Sequence, residues 1–295
     1  MRKVSICIPT YNSIADLKRL IRSIEVQTFT DYEICISDDS CTDEVEEFVR
    51  NLGRNINYRR NKKPLGHVIN WNAAMDMASG EYIKIMFSDD YFTYRDSLER
   101  MVTMLDAHPE CDMVFSNSLQ VPENSEEGKN PRLGLLTDGI HYAVGNTNAS
   151  AYVRLLEPGY IEKLHSDFRY VFISNQIGAP SDVLVRNKDF RFDERSNWAS
   201  DTFFYMRILS TNPNFESTED PLIAIGMHDE QYTYTFGEYD RRKYIDFKTL
   251  YKEYDLKRDK KYRDWFRAYA AENRRERLKR KIKKLLGYKG DRSTF

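Results

Sequence analysis

The chain has 295 residues, 41% of them hydrophobic and 13% aromatic, and a formal net charge of −1. It can bury one substantial core, as a single large α/β domain or as a domain with a C-terminal extension. A mean hydropathy of −0.67 and the lack of a long apolar run argue against a membrane span. Met1-Arg2-Lys3 leads straight into a strand-like segment instead of a signal peptide, so the expected location is the cytoplasm. The four cysteines, Cys7, Cys35, Cys41 and Cys111, form no C-x-x-C pair and no disulfide framework, which argues against a zinc site.

The first hundred residues alternate strand and helix. Val4 to Pro9 is a continuous apolar run ending at Thr10-Tyr11-Asn12, and after Ser13, a capping candidate, Leu17, Leu20, Ile21 and Ile24 recur at helical spacing. Tyr32 to Ser37 reads as the next strand, broken at Asp38-Asp39-Ser40, and Val45 to Leu52 as an amphipathic helix closed by Gly53. Ile56 to Asn61 predicts a third strand and His67 to Met77 a helix. Gly80 then punctuates the start of a buried strand, Tyr82 to Phe87, which delivers Ser88-Asp89-Asp90 to its carboxyl end. This alternation predicts a largely parallel sheet with right-handed crossovers and helices on both faces.

In such sheets the ligand crevice lies at the carboxyl ends of the strands. Thr10-Tyr11-Asn12, Asp38-Asp39 and Ser88-Asp89-Asp90 all fall on that edge. Adjacent carboxylates at a strand end suit a small hard cation, Mg²⁺ or Mn²⁺, that is also held by a phosphorylated partner. The bland alternative is that Ser88-Asp89-Asp90 opens a turn before the helix beginning near Asp96. Tyr11 can cover one face of a base while Pro9, Thr10 and Asn12 shape and line its surroundings; as a half-buried aromatic at a strand end it has an equally ordinary explanation. Asp39 reads either as a loop cap or as an acceptor facing the ligand.

The ordered set Pro9-Thr10-Tyr11-Asn12, Gln27-Thr28-Phe29, Ser37-Asp38-Asp39-Ser40-Cys41-Thr42-Asp43, Asn70 to Asn72, and Gly80-Glu81-Tyr82-Ile83 leading into Ser88-Asp89-Asp90 resembles the nucleotide-sugar half of family 2 glycosyltransferases with a GT-A fold. The resemblance covers about the first 115 residues and implies inverting transfer of a sugar from a nucleotide diphosphate donor. It implies that Asp39 accepts from a pyrimidine imide N–H, pointing to uridine, that Asp90 holds the metal, and that Ser88 and Asp89 face ribose or donor-sugar hydroxyls. Asn72 supports the diphosphate pocket or, equally, the loop. Serine stands where a strict Asp-x-Asp pattern has its first aspartate, which leaves the number of protein ligands open.

Leu98 to Leu105 continues as a helix and Cys111 to Phe115 as a strand; Pro122 to Gly139 has no sustained period and reads as a long loop. Ile177-Gly178-Ala179-Pro180-Ser181 predicts a turn before a strand at Asp182 to Val185, similar to the family's acceptor-side element. Asp201 opens a helix at Phe203 to Leu209 beside Trp198, Phe203 and Phe204. A carboxylate against apolar groups suits a base for the acceptor hydroxyl, and the family carries its base at the start of this helix; plain N-terminal stabilisation is the alternative, and Glu194 is the reserve candidate. His228 follows the apolar segment Leu222 to Met227 and resembles a late family histidine that reaches the metal or the diphosphate; a packed surface residue is the alternative.

From Tyr244 onward Tyr, Lys, Arg and Glu dominate at helical spacing. Arg274 to Lys284 sets eight basic residues against the single acidic Glu276, with Leu278, Ile282, Leu285 and Leu286 forming an apolar stripe. That helix suits an anionic membrane surface bearing a lipid-linked acceptor, or packs on the domain or on a second copy; as a nucleic-acid site it has thin support. The expected organisation is a GT-A domain over 1–240, divided into a nucleotide-sugar half at 1–118 and an acceptor half at 119–240, with a helical basic extension at 241–295. The rival readings are a nucleotidyltransferase, although Pro9-Thr10-Tyr11-Asn12 is no Gly-rich phosphate loop, and a catalytically inactive sugar-nucleotide-binding protein.

Overall fold

The computed structural model describes residues 2–53, 56–122, 143–144, 151–228, 237 and 239–285, with 143–144 and 283–285 as backbone only. The expected alternation is present. Strand β1 (Val4–Thr10), helix α1 (Ile14–Glu25), β2 (Tyr32–Asp38), α2 (Glu44–Asn51), β3 (Asn57–Arg60), α3 (His67–Met75) and β4 (Tyr82–Ile85) follow one another, and β3-β2-β1-β4 lie side by side in parallel. All seven residues of β1 are buried, as befits a strand covered on both faces. Helix α1 buries Leu17, Leu20, Ile21 and Ile24 against that sheet. Ser13 does stand at its N-cap position, but its hydroxyl donates to the Tyr11 carbonyl at 3.0 Å instead of capping the helix.

The second half continues the same sheet with a change of direction. After β5 (Tyr91–Phe92) and α4 (Ser97–Ala107) comes β6 (Met113–Pro122), which runs well past the expected end at Phe115. The polar run Ser116-Asn117-Ser118 reads as a strand break in sequence, yet it is buried, with the Asn117 amide donating to the Arg154 carbonyl at 2.9 Å. β7 (Ala143–Val144) and β8 (Tyr152–Val153) pair beside β6, and α5 (Tyr160–Ser166) follows. A 3₁₀ turn at Pro180–Asp182 introduces β9 (Val183–Arg186), which runs antiparallel between β4 and β6. α6 (Ser200–Thr211) leads to β10 (Phe215–Met227), parallel to β6 and broken in register around Pro221. The full order is β3-β2-β1-β4-β9-β6-β10-β5.

The segment after 240 forms two helices, α7 (Arg241–Glu253) and α8 (Lys260–Leu285). Leu250, Leu256 and Tyr262 are fully buried in the core that also holds Phe172, Phe204 and Tyr205, so these helices share the interior of the second half. Leu278 and Ile282 of the basic stretch are 58% and 47% exposed. The expected long loop falls mostly on 123–142, and Leu286 also lies outside the described residues. No described helix is long and apolar enough to cross a membrane.

Candidate active site

A cavity of about 740 Å³ opens along the carboxyl edge of the parallel strands. Pro9, Thr10, Tyr11, Asp39, Ser88, Asp89, Asp90, Asp201 and His228 all line it, joined by Asn70, Trp71, Phe87 and Trp198. Side chains from β1, β2, the turn after β4, the start of α6 and the end of β10 therefore meet in one space, of the size that holds a small ligand. The Tyr11 ring stands 54% exposed at its mouth. Among the described residues the buried Thr10 hydroxyl beneath has no hydrogen-bond partner, and so offers a donor to a ligand.

Asn12 and Asn72 are not on the cavity wall. Asn12, at a positive φ of 52°, accepts from the Cys41 N–H at 3.0 Å and donates its own N–H to Ser40 at 2.9 Å, tying two loops of the rim together. The Asn72 amide exchanges two hydrogen bonds with the Phe192 backbone, at 2.8 and 3.0 Å. Residues two apart on a helix point to nearly opposite sides, so it is Asn70 that faces the cavity, its amide held by Thr10 and Asn61. Both asparagines lie in the Asn70 to Asn72 segment, and residue type alone does not tell their faces apart. Glu194 is exposed and away from the cavity.

Asp39 is buried and already engaged. One carboxylate oxygen accepts from the Leu65 and Gly66 N–H groups at 2.9 and 3.1 Å, and the other from the Asn61 amide at 2.8 Å. The loop-cap role is thus present in the geometry, and a carboxylate with roughly four acceptor sites keeps one lone pair for a ligand.

The acidic pair divides its work. Asp89 Oδ2 lies 3.3 Å from His228 Nε2, across from the end of β10, and its carbonyl accepts from the Arg19 guanidinium at 2.7 Å. Asp90 is 2% exposed, and its carboxylate receives the Gly226 N–H at 3.3 Å. Burial first, and the neighbouring Asp89 charge second, push the Asp90 carboxyl well above the usual carboxylate range, against the pull of Ser181 and Gly226. Gly226 is required here for close approach, because a Cβ at that position would sit 2.6 Å from the Asp89 carbonyl oxygen.

Beneath Asp90 lies a group the sequence did not single out. Lys84, in the middle of β4, is fully buried and donates to the Ser181 and Val183 carbonyls, the latter at 3.3 Å. Burial pulls its ammonium down to about 7 against the opposing attraction of Asp182 and Asp90. Asp182 is pushed up to about 6 by burial, with Arg154 and Lys84 opposing, and it accepts the Ala179 N–H at 3.1 Å. The turn before β9 is thereby locked to the strand that carries the acidic pair. An apolar run hides such a lysine, since only the tertiary neighbours reveal that its head reaches carbonyls and carboxylates.

Asp201 lies in the first turn of α6 and also lines the cavity. Burial raises its carboxyl to about 6, although the Thr202 N–H at 2.7 Å and the Asn175 amide at 2.8 Å both favour the charged form. Such a group is neutral in mild acid and ionised at neutral pH, as a base for a hydroxyl should be.

Four carboxylates, those of Asp39, Asp89, Asp90 and Asp201, face this cavity, and no lysine or arginine is among its described lining residues. Such a field favours a ligand that brings positive charge with it. Asp89, Asp90 and His228 offer oxygen and imidazole donors suited to Mn²⁺ or Mg²⁺, and a cation would offset the burial that pushes the Asp90 carboxyl upward. The three do not close into a tight cluster. Among the described residues the threesome of ligand atoms within 4.8 Å of one another is His108, Glu110 and Cys111, at the other end of the sheet. Protein ligation at the cavity therefore rests on few groups, with room for ligand oxygens.

Residues 5–153 match the model of glycosyl transferase family 2. The chain belongs to this family. Abequosyltransferase RfbV of Salmonella typhimurium is 37% identical over 150 residues, which are 48% of this chain and 44% of that protein. A GalNAc(5)-diNAcBac-PP-undecaprenol beta-1,3-glucosyltransferase of Campylobacter jejuni is 35% identical over 97 residues, 30% of each chain. The match thus spans less than half the length of these curated relatives. Among solved structures, Staphylococcus aureus TarS 1–349 in complex with UDP-GlcNAc superposes with a TM-score of 0.54 at 20% identity, over 78% of this chain and 60% of that one. Mannosyltransferase PcManGT of Pyrobaculum calidifontis, in complex with GDP-Man and Mn²⁺, gives 0.51 at 14% identity over 94% and 87%. At such identities the likeness establishes the GT-A fold of this family 2 chain.

Proposed function

We propose that this family 2 chain is an inverting, metal-dependent glycosyltransferase that moves a sugar from a UDP-sugar to a hydroxyl of a bacterial cell-surface polysaccharide or lipid-linked glycan. The observation that carries the reading is one cavity lined together by Thr10, Tyr11, Asp39, Asp89, Asp90, His228 and Asp201. Tyr11 stacks on the base, Thr10 donates from its unpartnered hydroxyl, and the remaining lone pair of Asp39 takes the imide N–H. Asp90, together with Asp89 and His228 beside it on the cavity wall, would hold Mn²⁺ or Mg²⁺. A bound divalent cation would neutralise the diphosphate and its developing charge.

Asp201 takes the proton of the acceptor hydroxyl. The acceptor oxygen then forms its bond to the anomeric carbon as the carbon–oxygen bond to the diphosphate breaks on the opposite face, and UDP leaves with that electron pair. Retention of a carboxyl near pH 6 in an apolar setting favours this role over simple helix stabilisation. The basic stretch from Arg274 to Lys284, with Leu278 and Ile282 exposed, supports peripheral contact with an anionic inner membrane face, where a lipid-linked acceptor would be met.

The test is a panel of UDP-sugars and GDP-sugars incubated with the chain, with and without Mn²⁺. A UDP-sugar should raise the melting temperature and release UDP, and EDTA should abolish both effects. Unchanged melting with every UDP-sugar in the presence of Mn²⁺ would refute the donor assignment.

A further inference from the structure

The backbone just ahead of the proposed base is held from an unexpected place. The N–H groups of Asn197, Trp198 and Ala199 point together, and all three donate to the carboxylate of Asp246, in the middle of α7. The distances to Asp246 Oδ2 are 2.9, 2.7 and 2.9 Å, and the Asn197 side-chain amide reaches Oδ1 at 2.8 Å. Successive N–H groups converging in this way form a concave anion site, and here an internal carboxylate fills it. Asp246 is 1% exposed, so these bonds act away from water, where hydrogen bonds to a charged group are strong.

One turn earlier on the same face of α7, Lys243 places its ammonium 3.8 Å from the centroid of the Trp198 ring. The α6 N-cap position, Ala199, has no side-chain cap of its own. The backbone entering α6 is thus held by α7, while the Asp201 carboxylate two residues on is also held by the Asn175 amide at 2.8 Å. Trp198, a wall of the cavity, is fixed by the same pair.

We propose that Asp246 is a positioning residue for transfer: it holds the 197–199 segment so that Asp201 and Trp198 face the acceptor hydroxyl. This rests on the assignment of Asp201 as base. It also makes the segment after 240 part of the acceptor side of the site. Residues 5–153, which match the family model, contain neither partner of this contact.

The experiment uses the full chain, the UDP-sugar that gives the fastest UDP release in the panel, and Mn²⁺. Asp246→Ala should lower kcat at least tenfold while the donor KM and the melting shift caused by UDP with Mn²⁺ stay within twofold. The near-isosteric Asp246→Asn, which keeps one acceptor oxygen, should fall between. Hydrogen exchange of the peptide carrying Asn197 to Ala199 should accelerate in both, in the same order. A kcat within twofold of wild type in Asp246→Ala would overturn the proposal, and so would equal loss of donor binding and turnover, which marks general damage. Lys243→Met is the milder variant should Asp246→Ala not fold: it should lower kcat about threefold with donor KM unchanged, and no change would count against the proposal. Asp201→Asn measured alongside keeps the two assignments apart: full turnover there removes the base and this proposal with it, whereas lost turnover there beside wild-type turnover in Asp246→Ala overturns the positioning role alone.

Discussion

The two halves of the molecule are built by different kinds of contact. In the first half strands and helices alternate from β1 to β4, and the functional side chains sit where the strands end: Thr10 at the end of β1, Asp39 after β2, Asp89 and Asp90 after β4. In the second half the site is assembled from afar. Asp201 is flanked by Asn175, from 26 residues earlier, and the segment leading to it is held by α7, 47 to 49 residues later. The lesson is that a site can have a locally encoded floor and a wall that depends on the rest of the chain.

The largest test of this contrast is at Asp201 itself. Asp201→Asn should cut transfer by roughly 10²- to 10⁴-fold, the usual worth of a general base, while the melting shift with UDP and Mn²⁺ is kept. Loss of donor binding in that variant would mean that the two walls are not separable.

Next in size is pH. The Asp201 carboxyl ordinarily titrates at 3.8 and is held up at about 6 by burial. Since the fold favours the protonated form, the stability contributed there is full below the ordinary value and is lost as pH rises through about 6. Catalysis needs the ionised form, so kcat should rise about tenfold per pH unit below 6 and level off above it. Asp182, raised to about 6 by burial as well, adds to the same fall in stability. Asp201→Asn should therefore weaken the pH dependence of melting without removing it. A flat rate from pH 5 to 8 would break the assignment.

The smallest effect expected is at Asn72. Asn72→Ala leaves the buried Phe192 N–H and carbonyl without partners, at a cost of about 1–3 kcal/mol in urea unfolding. Donor KM should not change, because the side chain faces away from the cavity. A raised donor KM would restore Asn72 to the diphosphate pocket.

Much of this was legible in the chain itself. Apolar period and punctuation placed the strands and helices of the first hundred residues within a few positions, and the polar clusters at the strand ends marked the rim of the cavity. Asp201 at the head of a helix was legible in the same way. What sequence could not assign was the partner of each side chain. Which of Asn70 and Asn72 faces the ligand, which of Asp89 and Asp90 meets His228, what neutralises buried Lys84, and that Asp246 fills a ring of N–H groups all depend on contacts between residues far apart in the chain. Secondary structure follows from a local repeat of apolar residues, which any window of the chain contains. The environment of a charge is set by whatever the folded chain brings beside it, and only the packed molecule specifies that.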